Sequence, residues 1–400
     1  MVYDAIIVGG GPVAGYIAAE LSQSGFSTLV LEEHSRIGVP VQCAGLVTTK
    51  LDRIVDLKPC ILNTVNGAYI FSPLLHRLVL DSGTPKAYVI DRSKFDQMLM
   101  DKALDLGAEV RTGSKLSSVK RLSDQNGGTG IDITATTNEG KKQYKTNLVI
   151  GADGANSTVR RFFDFDPPRM MLKGIGREFK FADIPREFVQ IFSGNEIAPG
   201  FFAWAIPAGD RVRIGLCVAS GTAELVDYFN NYQKLCRKRG LIPDSRPVQR
   251  ITGTIPLGVL DRTTADNVML VGDAAAQVKP TSGGGIYPGL RSAKLCAETA
   301  VSSLEAGDQS NGFLQQYHQN WRKQIGNDLE KGLRLHRAFM HLSDDRIEEA
   351  FNILDKTEIL RVISRKGDIE SPFALAKLLF KKAPRLIKFA GPYFRSLSLK

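Results

Sequence analysis

The sequence predicts an α/β (α+β) protein in three parts: a Rossmann-like nucleotide-binding domain assembled from discontinuous segments, an inserted and mostly antiparallel β-sheet domain, and a helical, basic C-terminal region. Three observations carry this expectation. The chain opens on an apolar strand, a glycine turn, a helix and a second strand, which together read as a βαβ unit. Two later apolar strands, at 148–150 and 268–271, each run into a turn that holds an aspartate and glycines. Between about 167 and 250 the composition changes to short strands with prolines and aromatics. A chain of 400 residues is long enough for two or three cores. The expected boundaries are 1–66, 91–166 and 256–340 for the nucleotide-binding domain, 67–90 and 167–255 for the inserted domain, and 341–400 for the helical region, with 67–90 forming a sheet edge.

In the opening unit, residues 3–8 form the first strand, Gly9-Gly10-Gly11-Pro12-Val13-Ala14-Gly15 the turn, 16–24 the helix and 28–31 the second strand. Gly9 permits the tight turn, and Gly11 lets the backbone approach a pyrophosphate that sits at the helix N-terminus, where free N–H groups and the dipole favour an anion. An acid about twenty residues on accepts hydrogen bonds from ribose hydroxyls. Glu32 is placed for this, with Glu33 the second choice. Ala14 stands where the third glycine of the pattern is expected, and it is small enough for close helix–strand packing.

A loop at 34–49 follows. The strand-like stretch 67–80 contains Ser72-Pro73, which points to a sheet edge or bulge. A helix begins at Asp91-Arg92-Ser93, with Asp91 or Ser93 as N-cap, and runs to Gly107. Asn126-Gly127 marks a hairpin turn between strands at 116–122 and 131–136. Phe201, Phe202, Trp204 and the alternating Arg211-Val212-Arg213-Ile214 indicate a sheet in the inserted part. From Gly289 onward the chain is mainly helical.

The bulk composition narrows the function classes. With 43% hydrophobic and 24% charged residues the chain is ordinary for a soluble protein. No apolar run reaches the length of a membrane span, and no leader is expected, which implies a cytoplasmic protein. Five cysteines without metal spacing give no expectation of a metal site. The formal net charge is +10, and the last thirty residues carry seven basic side chains and no acid, interleaved with Phe373, Leu375, Leu379, Phe380, Leu386 and Phe389. Such a segment suits an anionic membrane surface, which would make the protein peripheral at the inner membrane face, or else a helical cap on the body. No recognition motif accompanies the charge, so nucleic acid is not an expected partner.

Two further constellations sit at strand ends: Gly151-Ala152-Asp153-Gly154 with Arg160 beyond it, and Gly272-Asp273-Ala274-Ala275 followed by Pro280-Thr281-Ser282-Gly283-Gly284-Gly285-Ile286. Open α/β sheets bind ligands at such ends. Asp273 can bond a ribityl hydroxyl, and the amides of 283–286 can approach a pyrophosphate or flavin ring with no side chain in the way.

In these motifs and their order, with Arg92 of Asp91-Arg92-Ser93-Lys94-Phe95-Asp96, the sequence resembles the flavoproteins of p-hydroxybenzoate-hydroxylase fold and, within them, the geranylgeranyl reductases, including the archaeal digeranylgeranylglycerophospholipid reductases. The resemblance covers about residues 1–340 and implies FAD as cofactor. It implies cofactor contacts from Gly9, Gly11, Pro12, Val13, Ala14, Glu32, Arg92, Asp153, Gly154, Asp273, Gly284, Gly285 and Ile286. Val41-Gln42-Cys43-Ala44-Gly45 is similar to the segment that lies beside the flavin in these reductases, which places Cys43, Ala44 and Gly45 at the isoalloxazine. Phe202-Ala203-Trp204-Ala205-Ile206-Pro207 resembles their YxWxFP signature, with Phe202 for tyrosine and Ile206 for phenylalanine. Cys43, Trp204 and Phe202 are therefore the implied catalytic residues. The implied activity is saturation of isoprenoid double bonds in prenylated membrane lipids by hydride transfer from reduced flavin. The fold also serves aromatic monooxygenases and halogenases, and a membrane-surface electron carrier is a third reading. Gly174-Ile175-Gly176 and Gly128-Thr129-Gly130 do not lie between a strand and a helix, so no second dinucleotide fingerprint is present. The electron donor is expected to be external: a ferredoxin, a reduced deazaflavin or NAD(P)H.

Overall fold

Tyr3, Ala5, Ile6, Ile7 and Val8 are all buried because their strand, β1 (Val2–Val8), runs through the centre of a sheet covered on both faces. The computed structural model describes residues 2–123, 129–181, 183–219, 224–355, 357–367, 370 and 372–389. β1 pairs in parallel with strand Gly140–Gly151 on one side and with β2 (Thr28–Leu31) on the other, so that Ile6 lies between Val149 and Leu29. Strands Val268–Leu270 and Glu109–Arg111 extend the parallel core outward. The hairpin Lys115–Ser123 and Thr129–Thr137 joins antiparallel to Gly140–Gly151; its expected Asn126-Gly127 turn lies outside the described residues.

Successive strand residues face opposite ways, and the two cores reflect it. Ala5, Ile7, Val30 and Ile150 pack under α1 (Pro12–Gln23), α2 (Arg92–Asp105) and the long helix Ile286–Ala306. Ile6, Val8, Leu29 and Val149 pack under Ile131 and Ile133 of the hairpin. α1 starts at Pro12, earlier than the expected residue 16, since proline at the first helical position loses no hydrogen bond. Asp91 is the N-cap of α2, its carboxylate accepting from the Lys94 amide at 3.0 Å.

A second sheet has seven strands in the order Gln249–Leu257, Met170–Lys180, Arg211–Ala219, Ala203–Ala208, Phe188–Phe192, Gly67–Phe71 and Arg77–Asp81. Its pairings are antiparallel except that of Phe188–Phe192 with Gly67–Phe71. The stretch 67–80 is thus a hairpin: Ser72-Pro73 begins its turn, Leu75 adopts φ 64°, and the second arm is the sheet edge. A three-stranded sheet, Leu46–Thr48, Ala87–Ile90 and Ile61–Val65, bridges the two large ones in sequence.

Helices Asp344–Leu354, Thr357–Lys366 and Pro372–Lys382 and the turn Pro384–Phe389 close the chain. Ile359, Ile363, Ala383, Leu386 and Phe389 form a small core that also takes in Leu80 of the sheet edge. Much of the apolar face of the basic region therefore packs on the body; Tyr393, Phe394, Arg395 and Lys400 lie outside the described residues. Among the described residues no helix is long and apolar enough to cross a membrane.

Candidate functional site

The glycine turn is shaped by contact. Gly9 has φ +111°, and a methyl group there would lie 2.3 Å from the Ala152 carbonyl oxygen, so glycine alone lets the first turn nest against the 151–154 turn. The Gly10 amide donates to Glu32 Oε2 at 2.5 Å, and Glu32 Oε1 accepts from the His34 amide at 2.8 Å and faces His34 Nδ1 at 2.6 Å. Glu32 is thereby fixed over the turn. Glu33 turns away to an exposed pair with Lys115 at 2.8 Å, whose hydrogen bond holds its carboxyl below the usual range.

Ala14 is fully buried in the cluster with Ala5, Ile7 and Val30 of the strands, and Gly15 adds a close approach to α2. A methyl on Gly15 would lie 2.9 Å from the Leu99 backbone of α2. Gly11 caps α1 with no side-chain hydrogen bond and has open space around it, leaving the first-turn amides of α1 free. Gly285 caps the helix Ile286–Ala306 in the same bare manner. Val13 lies against both Gly272 and Gly289, with methyl groups at those positions falling 3.2 and 3.1 Å from its Cγ2, so two helix N-termini converge on one place.

The two aspartates differ. Both oxygens of Asp153 are committed within the protein, to the Ser157 hydroxyl at 2.5 Å and the amides of Thr158 and Val159 at 2.6 and 3.0 Å. It helps to cap the short helix Thr158–Phe162 and braces the turn; Gly154 beside it borders open space. Arg160 then ties this turn to the next, donating to Ala155 O at 2.8 Å and Ala274 O at 3.0 Å. Asp273, by contrast, has no hydrogen bond to its carboxylate among the described residues, and its Oδ1 lies 2.6 Å from where a methyl on Gly285 would sit. Burial pushes its pKa up to about 6, with the Arg92 charge pulling the other way. Gly284 packs on the Lys279 side chain, which forms a buried pair at 2.6 Å with Glu370 from the C-terminal region.

At the opposite end Cys43 meets Arg92. The Gly45 amide donates to Cys43 Sγ at 3.3 Å, and the Arg92 guanidinium lies within electrostatic reach of the same sulfur. Arg92 also grips Asp96 through Nε at 3.2 Å and Nη2 at 2.9 Å. Burial pulls the Arg92 pKa down, but Asp96 and Cys43 outweigh it and hold it above its ordinary value. Of the five cysteines Cys43 alone is not fully buried.

The loop carrying Cys43 rests on the seven-stranded sheet. Gly174 pairs with both Cys217 and Gly253 in register, and a methyl on Gly253 would lie 3.0 Å from the Gln42 carbonyl oxygen. Gly215 faces Trp204 so closely that a methyl there would lie 2.5 Å from the indole. Phe202 meets Trp204 edge-on at 6.2 Å and stacks on Phe201 at 4.2 Å. Phe201 abuts Gly283, and Trp204 shares an apolar cluster with Ala44. Cys43, Ala44, Gly45, Arg92, Asp273, Trp204 and the 283–286 loop, which are far apart in sequence, thus border one region. His336 packs edge-on against Phe201 at 5.7 Å with its Nε2 buried and unpaired, and burial lowers its pKa to about 4. Arg213, Glu178 and His336 went unnoticed in the sequence as site-building residues.

Two uncapped helix N-termini, a bare glycine turn, a fixed carboxylate at Glu32 and an unpartnered one at Asp273 fit a dinucleotide with a polyhydroxylated linker. The family model described as FAD binding domain matches residues 2–331. A protein from Methanocaldococcus jannaschii described as uncharacterized is 32% identical over 95% of both chains. The digeranylgeranylglycerophospholipid reductase of Methanosarcina mazei is 30% identical over 96% of this chain and 94% of its own. Among solved structures, a geranylgeranyl bacteriochlorophyll reductase-like protein from Thermoplasma acidophilum superposes with a TM-score of 0.85 at 25% identity, covering 97% of this chain and 98% of that one. With turn, carboxylates and coverage in agreement, the chain belongs to the FAD-binding family of flavin oxidoreductases, in the branch of the geranylgeranyl reductases, and its cofactor is FAD.

Proposed function

We propose that the protein saturates carbon–carbon double bonds in the geranylgeranyl chains of membrane lipids. The observation that carries this reading is the sheet face beside Cys43, where Phe201, Phe202, Trp204 and Ile255 surround bare glycine backbone. An apolar, aromatic wall suits an isoprenoid chain, and the relatives named as reductases of geranylgeranyl lipids support it. Bound and reduced, FAD supplies a hydride for the alkene, a second hydrogen arriving as a proton.

The turn Gly9, Gly11, Pro12, Val13 and Ala14 would hold the pyrophosphate and Glu32 the ribose. Asp273 would accept from the ribityl chain, and Gly284, Gly285 and Ile286 would leave backbone close to the flavin. Arg92 and the 43–45 loop would border the ring, with Cys43, Phe202 and Trp204 lining the space for the alkene. Their work is orientation and exclusion of water. In this reading residues 1–66, 91–166 and 256–340 bind FAD, and 67–90 with 167–255 receive the lipid. The reductant is an external ferredoxin, reduced deazaflavin or NAD(P)H. Lys377, Lys381, Lys382 and Arg385 would meet anionic headgroups at the membrane face, while Lys388 is paired with Glu349.

The test is anaerobic incubation of the chemically reduced holoenzyme with a geranylgeranylated glycerophospholipid. Flavin reoxidation with a mass gain of one H2 per double bond is expected. The absence of both changes would refute the reading, and a product formed only with oxygen would move the protein to the monooxygenases.

A further inference from the structure

Arg213 stands in an alternating strand where the sequence suggests an outward side chain, yet it is 8% exposed and its partner Glu178 is 1% exposed. A buried ion pair is weak evidence for stability, so its geometry has to explain its presence. Glu178 Oε2 accepts from Arg213 Nε at 2.6 Å, and Glu178 Oε1 accepts from Arg211 Nη1 at 2.7 Å. With Nε fixed, Arg213 Nη1 reaches out of the sheet to two carbonyls, Ala44 O at 3.0 Å and Ile90 O at 2.9 Å. Ala44 follows Cys43 directly, and Ile90 leads into Asp91, the N-cap of the helix that carries Arg92. One guanidinium thus holds the roots of both Cys43 and Arg92.

Gly45 completes the arrangement. It has φ +77°, and a methyl group there would lie 2.3 Å from Arg213 Nη1 and 2.7 Å from Ile90 O, so any larger residue would displace the clamp. The Ile90 amide in turn donates to Gly45 O at 2.8 Å, closing the loop onto the strand end.

We infer that Arg213, oriented by Glu178, is a positioning residue that sets the approach of Cys43 to Arg92 from the inserted sheet. The same strand carries Gly215 under Trp204 and Cys217 beside Gly174, so the surface proposed to receive the alkene and the loop proposed to border the flavin share one rigid element. The purpose assigned to the clamp rests on the proposed function; the clamp itself does not. A point-charge ammonium cannot hold Glu178 and two carbonyls in the same plane, which makes Arg213→Lys the informative variant.

The experiment is amide hydrogen exchange of wild type, Arg213→Lys and Glu178→Gln, each as FAD-bound protein, with the absorption spectrum of the bound flavin as second readout. Exchange across residues 42–46 should accelerate about tenfold in Arg213→Lys, with the hairpin 115–123 and 129–137 unchanged and the flavin bands shifted. Glu178→Gln should move the same residues less. Uniform acceleration over the whole chain would mean a merely structural pair, and a wild-type exchange rate at 42–46 in either folded variant would overturn the inference. Should neither variant fold, wild type decides: an unprotected Gly45 amide would refute the clamp, and protection equal to that of strand 211–219 would uphold it. A wild-type enzyme that shows the clamp in exchange but reduces no lipid would sink the functional reading alone.

Discussion

Gly9, Gly11 and Glu32 come from one short stretch of chain, and the groups that fix them are near at hand: the Gly10 amide, His34 and the neighbouring 151–154 turn. Cys43, Arg92, Asp273 and Trp204 come from four distant segments, and Arg213 of the inserted sheet holds two of those segments in place. At the first end backbone conformation does the shaping, because the phosphate and ribose proposed to bind there would need only amides and a carboxylate. At the second end long side chains bridge elements that have no local reason to meet. The first end should therefore fail through the backbone, all at once, and the second through loss of registration with the fold intact.

The largest effect is expected at the glycine turn. Gly9→Ala combines an unfavourable φ with a methyl 2.3 Å from the Ala152 carbonyl, and the stretch of β1 behind it, Ala5 to Val8, is buried and unable to retreat. A loss of about 3 kcal/mol or more in unfolding free energy and a flavin-to-protein ratio near zero after purification should follow. Denaturant titration and absorbance of the purified protein check both. A Gly9→Ala protein that retains FAD and wild-type stability would show that this turn is looser than its contacts imply.

What could be read in the sequence divides along the same line. The βαβ unit with its glycine turn, the acid at 32 and the cap at Asp91 follow from local spacing and are legible in the sequence, whereas the strand order of the large sheet is not. Ala14 packs among the strand residues, and the close approach of Gly15 to α2 was not legible. Asp153 was legible as a motif, but its hold on Ser157 and two amides was not, since that bracing depends on the conformation of the four residues after it. Arg213 and Glu178 were illegible, because an Arg-x-Arg alternation has the pattern of any solvent-facing strand. Burial of the pair depends on the 43–45 loop crossing over it, and no local pattern encodes that crossing.

An intermediate effect should appear at Asp273, and it depends on pH. Its native pKa of about 6 lies above the ordinary value of 3.8, so between these values the FAD-free native state binds more proton than the unfolded chain. Stability then falls as pH rises through that window and the cost is fully present above pH 6. Asp273→Asn removes it: the FAD-free variant should come close to wild type near pH 4 and exceed it by up to about 3 kcal/mol near pH 7. His336, lowered to about 4 from 6.5, gives the opposite slope over an overlapping range, but it is common to both proteins and cancels in the difference. Denaturant unfolding of the FAD-free pair at several pH values is the measurement. A pH-independent difference would mean that the Asp273 carboxylate finds a partner when the cofactor leaves, and the contrast with the fully committed Asp153 would lapse.

The smallest effect separates the two glutamates at the end of β2. Glu32 is nearly enclosed and holds the Gly10 and His34 amides, whereas Glu33 reaches Lys115 with both side chains about half exposed. An exposed pair of this kind contributes little, because water screens it and two long side chains must be ordered to form it. Glu33→Gln should therefore change unfolding free energy by no more than about 0.5 kcal/mol and leave the flavin-to-protein ratio as in wild type. Glu32→Gln keeps the size and one acceptor oxygen but puts an amide nitrogen where a second acceptor is needed, so it should reduce FAD retention while the apoprotein still folds. Side-by-side flavin content of the two variants settles which glutamate the turn was built around. Equal loss in both would place the ribose between them and make the local end of the site as composite as the distant one.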